Sequence, residues 1–486
     1  MIYKLRPYQE ECVKSISDYI NSDRHDPVLI VGPVGCGKSL LIAEAARLMG
    51  DKTLILQPSK ELLQQNHNKI TSYGIPATIY SASCGKKELS NMIYATLGSV
   101  KKVIGQLKEM GIRNVLIDEA HAGYSPEDGS EFMTFMNELK PKKVIGFTAT
   151  PCRLKTMSIG QVSYSQLNFI TRMRPVYFKN LIHVIQVEEM IRQGFWTPLK
   201  YETWDFNGDA LKLNSNGSEY TAESISEAVR KNGLNNLILR RLMVLKDVCR
   251  SILVFMDSVE SCNTAAEWMN AKICAGMAEV VHGGTPKKQR EAIVEGFKSG
   301  KTKVVFNYSA LGTGFDHPGL DCVIVGRPTF SFSSFYQWLG RAVRIKDGKD
   351  SALVVDCCNN SSRFGDIRKL SIENYKGYGW GMFIGDKLIT NIPMGGRVTK
   401  TDLDIKAAKK DRRRGLAQGV TAAPVPGRPD HPLGSTVMTF GKYCGWMFHS
   451  IPVSYFKFIN ETFDWDNDRN KDIKEYIDFL IKNNRL

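Results

Sequence analysis

Nowhere in the sequence do two cysteines stand at C-x-x-C spacing, although the chain has 11 of them. Scattered thiols, with Cys357 and Cys358 adjacent, predict reduced intracellular cysteines and exclude a disulfide framework or a zinc ribbon. His431, Cys444 and His449 lie close in sequence but match no structural zinc spacing. No apolar run approaches the ~18 residues of a membrane span. The start, MIYKLRPYQEE, is charged early and has no signal-peptide core, so the expectation is a soluble, cytoplasmic protein. Acidic residues are in deficit, 50 against 65 basic, for a net charge of +15. That balance predicts a polyanionic partner such as nucleic acid. An apolar fraction of 43% excludes a disordered chain, and 486 residues allow about three domains.

What is present begins with VLIVGPVGCGKSLLIAEAARLMG, Val28 to Gly50. Four apolar residues predict a short buried strand. Gly32, Gly35 and Gly37 precede Lys38 and Ser39 in the pattern G-x-x-x-x-G-K-[ST], a phosphate-binding loop. Glycines let the backbone curl so that several N–H groups face one anion. The helix expected from Leu40 adds its positive end. Lys38 then suits the β- and γ-phosphates of a nucleotide, and Ser39 a magnesium ion.

Strand-like runs alternate with helical patterns through residue 150, which predicts a mostly parallel sheet covered on both faces. One run, VLIDEAH, ends in Asp118 and Glu119, suited to metal binding and to polarising an attacking water. The rhythm is lost from 151 to about 245, where NFITRMRPVYFKN and NGDALKLNSNGSEYTAESISEAV read as an insertion, surface excursion or linker. It returns from Ser251 as a second sheet without a second phosphate loop. After Asn360 glycine and aromatics rise. Lys406 to Gly415 holds six positive charges against one negative, and a Pro/Gly linker follows.

The motifs fall in one order: Arg6-Pro7-Tyr8-Gln9, Gly32 to Ser39, QPSKELLQQN, DEAH, Thr148-Ala149-Thr150-Pro151, VFMDS, LGTGFDHP and Gln337-x-x-Gly340-Arg341-x-x-Arg344. From Leu5 to Arg344 this resembles the superfamily 2 helicases and translocases. Within them the wording is similar to RadD-type bacterial repair helicases and phage branch-migration helicases. The resemblance implies an α/β fold of two tandem RecA-like parallel-sheet domains with an interlobe insertion and a small C-terminal accessory region. The expected boundaries are 1–155 and 246–360 for the two domains, 156–245 for the insertion, 361–434 for a basic extension and linker, and 435–486 for the accessory module. It further implies ATP and Mg2+ as cofactors, and DNA, forked or branched, as partner in replication, recombination or repair, in a bacterial or phage-infected cell. An RNA helicase, an ATP-gated clamp and a restriction-complex motor subunit stay open, although no nuclease constellation is visible.

Residue roles follow from the same resemblance. Gln9 matches the reader of the adenine edge, and Arg6 lies against the base. Lys38, Asp118, Glu119, Gln337, Arg341 and Arg344 match the catalytic set, with Ser39 and Asp118 on the metal. Asp316 matches a position near the ribose or the arginines. Thr148 and Thr150 match the element that couples hydrolysis to nucleic-acid grip. Nucleic-acid contacts are implied at Pro58, Ser59, Lys60, Thr96, Ser99, Asp257, Ser258, Ser309 and Thr313. Arg172, Arg174 and Lys179, interleaved with Tyr177 and Phe178, suggest either a duplex-parting loop or an interlobe packing segment. Met438 to Ile459, with F-G-K-Y-x-G then I-P-x-x-Y, resembles a small module appended to bacterial and phage nucleic-acid enzymes. Lys442 and Tyr443 are its candidate contacts.

Overall fold

The computed structural model describes residues 4–50, 52–159, 162–311, 315–407, 431–436, 438, 443, 447–462, 471–484 and 486. The chain divides into two compact units, Met1–Asn374 with Trp380–Val398, and Tyr375–Gly379 with Thr399–Leu486. The first holds two RecA-like lobes, each built on a parallel sheet.

The strands of lobe 1 are β1 (Val28–Val31), β2 (Thr53–Leu56), β3 (Thr78–Ser81), β4 (Lys86–Lys87), β5 (Met92–Ala95), β6 (Asn114–Ile117) and β7 (Lys143–Thr148). After a two-stranded antiparallel hairpin, β8 (Cys152–Ile159) with β9 (Val162–Phe169), comes β10 (Asn180–Val184). The sheet runs β10-β1-β7-β6-β2-β5-β3-β4, parallel except for the β3–β4 pair. Lobe 2 is all parallel. Its strands are β11 (Leu199–Thr203), β12 (Ile252–Phe255), β13 (Ala278–His282), β14 (Val304–Tyr308), β15 (Cys322–Val325) and β16 (Ala352–Asp356), ordered β11-β16-β15-β12-β14-β13.

Continuous apolar runs form the central strands because both faces are covered. Every residue of β1, β2, β12 and β15 is buried. In β12, Leu253 and Phe255 join a core continuous with lobe 1, while Ile252 and Val254 join a separate cluster on the opposite face. That alternation is the period-2 geometry of a strand.

Residues 156–245, expected as an insertion, supply an edge strand to each of the two sheets. β10 pairs with β1 at the edge of the first sheet, and β11 with β16 at the edge of the second. The polar excursion leads into helices Ala222–Lys231 and Leu234–Val248, whose Ile225, Val229, Ile238, Leu242 and Leu245 are buried in the lobe 2 cluster. That part is lobe structure, not linker. The aromatic pair of the 172–179 stretch is also structural. Phe178 is buried against Gly146, and Tyr177 stacks edge-on to Phe132 at 5.0 Å, so neither ring is presented for base stacking. Arg172 and Arg174 lie exposed beside them.

The second unit has its own core, including Phe448, Ile451, Phe456, Ile473, Tyr476 and Leu480, with helices Val453–Thr462 and Lys471–Lys482. Tyr443 packs on Tyr455 at 4.8 Å between ring centroids. Of the basic run only its first residues, 406–407, are described; Thr313, Lys442 and Cys444 lie outside the described residues. Among the described residues no helix is long and apolar enough to cross a membrane.

Candidate functional site

The predicted site residues collect at the carboxyl ends of strands, where open α/β sheets place their ligand residues. The glycine loop follows β1, Asp118 follows β6, and Thr148 ends β7. From lobe 2, Asp316 precedes β15, and Gln337, Arg341 and Arg344 lie on or just after helix Phe332–Leu339. All of these except Thr148 line one cleft of about 500 Å³.

The loop is built for close approach. Gly35 and Gly37 have φ of +82° and +83°, which side-chain-bearing residues rarely adopt. A Cβ on Gly37 would stand 2.6 Å from Gln9 Nε2, and one on Gly32 would stand 2.7 Å from Cys36 Sγ. Gln9 is thereby drawn onto the loop: its Nε2 donates to the Cys36 carbonyl (2.9 Å), and its Oε1 accepts from the Arg6 amide (3.0 Å). The Arg6 guanidinium lies 4.6 Å from the Phe195 ring centroid, so Arg6, Gln9 and Phe195 make one wall of the cleft.

Lys38 and Glu119 approach to 3.9 Å. Burial by itself would pull the Lys38 ammonium down, but Glu119, Cys36 and Asp118 outweigh it and hold it above its ordinary value. Burial and then the Glu119 charge push the Asp118 carboxyl up. Burial works the same way on Glu119, but Lys38 and His121 hold it low. Glu119 also has a left-handed backbone, φ +46°, a strained setting common at functional sites.

Asn66 links the two groups expected to hold a metal. Ser39 Oγ donates to Asn66 Oδ1 (2.6 Å), and Asn66 Nδ2 donates to Asp118 Oδ2 (2.8 Å). A hydroxyl and a carboxylate are hard oxygen donors of the kind Mg2+ takes, with phosphate oxygens and water completing its shell. Among the described residues no group of three His, Cys, Asp or Glu could hold a metal alone. The donor set fits a magnesium–nucleotide complex better than a protein-only metal site.

Lobe 2 closes the opposite wall. Arg341 donates to the Phe315 carbonyl (2.6 Å), and Arg344 pairs with Asp316. Burial, with Arg344 alongside, pulls Arg341 below its ordinary value, and Arg341 acts electrostatically on both Lys38 and Glu119. A Cβ on Gly340 would stand 2.5 Å from the Val34 side chain of the loop, so the two lobes touch there.

Several members of the site carry no motif. Trp196 Nε1 donates to the Val34 carbonyl (2.8 Å) and Thr197 Oγ1 to the Arg344 carbonyl (2.7 Å), tying neighbouring residues to opposite lobes. His121 Nδ1 lies 2.8 Å from Thr148 Oγ1, and its Nε2 lies 3.1 Å from Ser333 Oγ of lobe 2. Ser333 Oγ is also 3.2 Å from Thr150 Oγ1. Phe195, Trp196, Thr197 and Ser333 have no sequence signature, because tertiary proximity alone brings them in; Asn66 ends the QPSKELLQQN motif, but nothing in that motif marks its bonds to Ser39 and Asp118.

The implied nucleic-acid residues also follow strand ends. Pro58, Ser59 and Lys60 come after β2, Thr96 and Ser99 after β5, Asp257 and Ser258 after β12, and Ser309 after β14. Ser59 and Ser258 cap helices through the amides of Leu62 (3.3 Å) and Ser261 (3.0 Å). Ser99 Oγ accepts from the Ala82 amide (3.0 Å), and Asp257 accepts from Ser226 (3.0 Å).

Two family models match the chain: Type III restriction enzyme, res subunit, over residues 2–153, and Helicase conserved C-terminal domain over residues 235–346. The chain is 25% identical to a 51.5 kDa protein of a Lactococcus phage, covering 68% of this chain and 65% of that protein. It is 24% identical to a putative ATP-dependent helicase IRC3 of Saccharomyces cerevisiae, covering 57% of this chain and 38% of the relative. It therefore spans less than two thirds of either. A DNA 3'-5' translocase XPB2 of Sulfurisphaera tokodaii is 24% identical, with 72% and 81% covered. Among solved structures, a DNA-bound Type ISP restriction-modification enzyme, LlaBIII, superposes with a TM-score of 0.54 at 14% identity, over 85% of this chain and 30% of that one. That likeness speaks to the fold.

Proposed function

Because the chain belongs to the superfamily 2 helicases, we propose that it is a nucleic-acid-stimulated ATPase that unwinds or translocates on DNA. Forked or branched DNA in replication, recombination or repair is its substrate. The observation that carries the reading is the shared cleft: Lys38 and Glu119 come from one lobe, Arg341 and Arg344 from the other. A nucleotide there favours the closed pair of lobes, and its loss favours the open one.

In this reading Arg6, Gln9 and Phe195 hold the base, and the glycine-loop amides with Lys38 hold the phosphates. Ser39 and Asp118 would hold Mg2+, which supplies charge neutralisation at the phosphates when bound. Glu119 orients the attacking water and takes its proton. Arg341 and Arg344 offset charge that develops on the transferred group, and Gln337 sits beside them. Thr148 and Thr150 carry the nucleotide state toward the nucleic-acid side. There Pro58, Ser59, Lys60, Thr96, Ser99, Asp257, Ser258, Ser309 and Thr313, with Arg172 and Arg174 at the exposed edge, meet the backbone. Residues 1–155 and 246–360, with the edge strands β10 and β11 and the helices Ala222–Lys231 and Leu234–Val248 that join their sheets and core, make up the motor domains. A net charge of +15 and a relative named for DNA translocation support DNA as the polymer.

The test is ATPase rate with single-stranded, duplex, forked and junction DNA and with RNA in one buffer, together with strand displacement. Stimulation greatest on forked or junction DNA, with displacement, is expected. Stimulation by RNA alone, or DNA stimulation without displacement or movement, overturns it in favour of an RNA helicase or a clamp.

A further inference from the structure

Lobe 2 contains a second cavity, of about 320 Å³, at the carboxyl ends of β12 and β14. Phe255, Asn307, Ser309, Arg327, Gln337 and Trp338 line it. We propose that it seats one backbone phosphate of a single nucleic-acid strand, with Asn307 and Arg327 as the donors. The identity of the strand rests on the helicase reading above; the anion site rests on the wall of the cavity.

That wall offers donors and keeps its strong acceptors occupied. Asn307 is 1% exposed. Its Oδ1 accepts from the amides of Ala310 (3.2 Å) and Leu311 (2.7 Å), which fixes the side chain and leaves Nδ2 buried with no hydrogen-bond partner. Arg327 Nε is likewise buried without one. The Arg327 guanidinium lies 5.8 Å from both the Tyr308 and Trp338 ring centroids, and Trp338 is stacked in turn on Phe255 at 4.9 Å. The charge is held in place by the rings, not by a carboxylate. Buried donors without a protein partner need acceptors from water or from a ligand, and two at one cavity suit an acceptor-rich anion.

The one carboxylate on the wall does not fill that role. Glu219 accepts from Phe330 N (2.7 Å), Tyr220 N (2.9 Å) and Thr329 Oγ1 (2.5 Å). Arg363 donates to the Thr329 carbonyl (2.8 Å) and lies over the Tyr220 and Phe330 rings, which places a second cation on that side of Glu219. A nucleobase brings donors that need acceptors of their own, whereas a phosphodiester brings only acceptors. The cavity favours the phosphodiester. Ser309, at φ +53°, turns the chain sharply at its rim. Gln337 lines both this cavity and the nucleotide cleft, so occupancy of one is felt in the wall of the other.

The experiment measures binding of the full chain to fluorescein-labelled oligo(dT) by anisotropy across a salt series. It compares the wild type, Arg327→Gln, and Arg327→Lys, which keeps the charge but loses Nε. Loss of one charged hydrogen bond predicts about tenfold weaker binding for Arg327→Gln, and a salt slope shallower by about one unit. Arg327→Lys should recover the slope but not the full affinity. Oligonucleotides carrying a single methylphosphonate, scanned along the strand, should reveal one position that weakens the wild type and leaves Arg327→Gln unmoved. An abasic scan should show no such pairing. Equal affinity and slope in the wild type and Arg327→Gln would overturn the phosphate site. So would pairing with the abasic scan in place of the methylphosphonate one. A wild type that binds no nucleic acid would instead overturn the helicase reading.

Discussion

Alanine at Gly340 should jam the motor. Gly340 has φ −60° and ψ −10°, which alanine adopts without strain, so lobe 2 should still fold. The added Cβ would stand 2.5, 2.6 and 3.0 Å from Val34 Cγ2, Cβ and Cγ1. Ordinary contact requires about 3.4–4 Å, so the lobes must separate by about 1 Å at that point. Arg341 is the next residue, and it withdraws from the phosphate site by a similar distance. A displacement of that size can cost about 100-fold in rate, or about 2.7 kcal/mol of barrier. Steady-state ATPase with saturating single-stranded DNA should fall by about that factor. Binding of a fluorescent ATP analogue, held mainly by lobe 1, should weaken far less. Val34→Gly removes all three clashing atoms, and the Trp196 hydrogen bond to the residue 34 carbonyl can persist, so Val34→Gly/Gly340→Ala should recover much of the rate. Wild-type turnover by Gly340→Ala, or a double variant as slow as the single, would refute the closed-cleft reasoning.

Ser333→Ala removes the hydroxyl shared by His121 and Thr150 and should lower DNA-stimulated ATPase about 5–30-fold. Combined with His121→Ala it should add little, because both act in one network, and full additivity in that cycle would sink the link. Phe195→Ala should raise KM for ATP about 5–20-fold with kcat little changed, since ring contacts hold ground and transition states alike; a selective fall in kcat would contradict it. His317 tests pH linkage. It is buried with Nε2 2.8 Å from Ser251 Oγ, and burial, then Lys346, Lys298 and Lys349 against the opposing Asp316, pull it from 6.5 down to about 4. The unfolded chain takes up the proton first, so this stability is present above pH 6.5 and is lost as pH falls toward 4. At about pH 5 the loss is about 1–2 kcal/mol, and His317→Gln should show a smaller Tm drop between neutral and acid pH than the wild type. An equal drop in both would count against it.

The central strands were legible because burial on both faces leaves an unbroken apolar run that periodicity can find, as in VLIV, TLIL and CVIV. Two of the edge strands, β10 and β11, were not. β10, NLIHV, has no fully buried residue, and β11, LKYET, has one. An edge strand has a neighbour on one side only, so its sequence carries half the signal. Their absence from the sequence pattern made 156–245 look like an insertion between domains, when its strands extend both sheets. Tyr177 and Phe178 leave two readings open for a related reason. An aromatic pair among basic residues reads equally well as a stacking platform or as core with a charged rim, and the close approach of Phe178 to Gly146 decides for core.

The site divides along the same physical line. The glycine loop is readable because its chemistry needs a local backbone shape, and only glycine tolerates φ near +80° at residues 35 and 37. Asn66 needs no special backbone; a mid-helix asparagine has no local mark until Ser39 and Asp118 arrive on either side of it. Ser333 reads as one serine in SFSSF. Its place between His121 and Thr150 depends on how a whole lobe is set against another. A motor of this kind has to be written partly in such residues. A group that reports closure must be ordinary within its own lobe and gain its partners only across the gap, so the property that couples the lobes is the one that hides it from a reading of the chain.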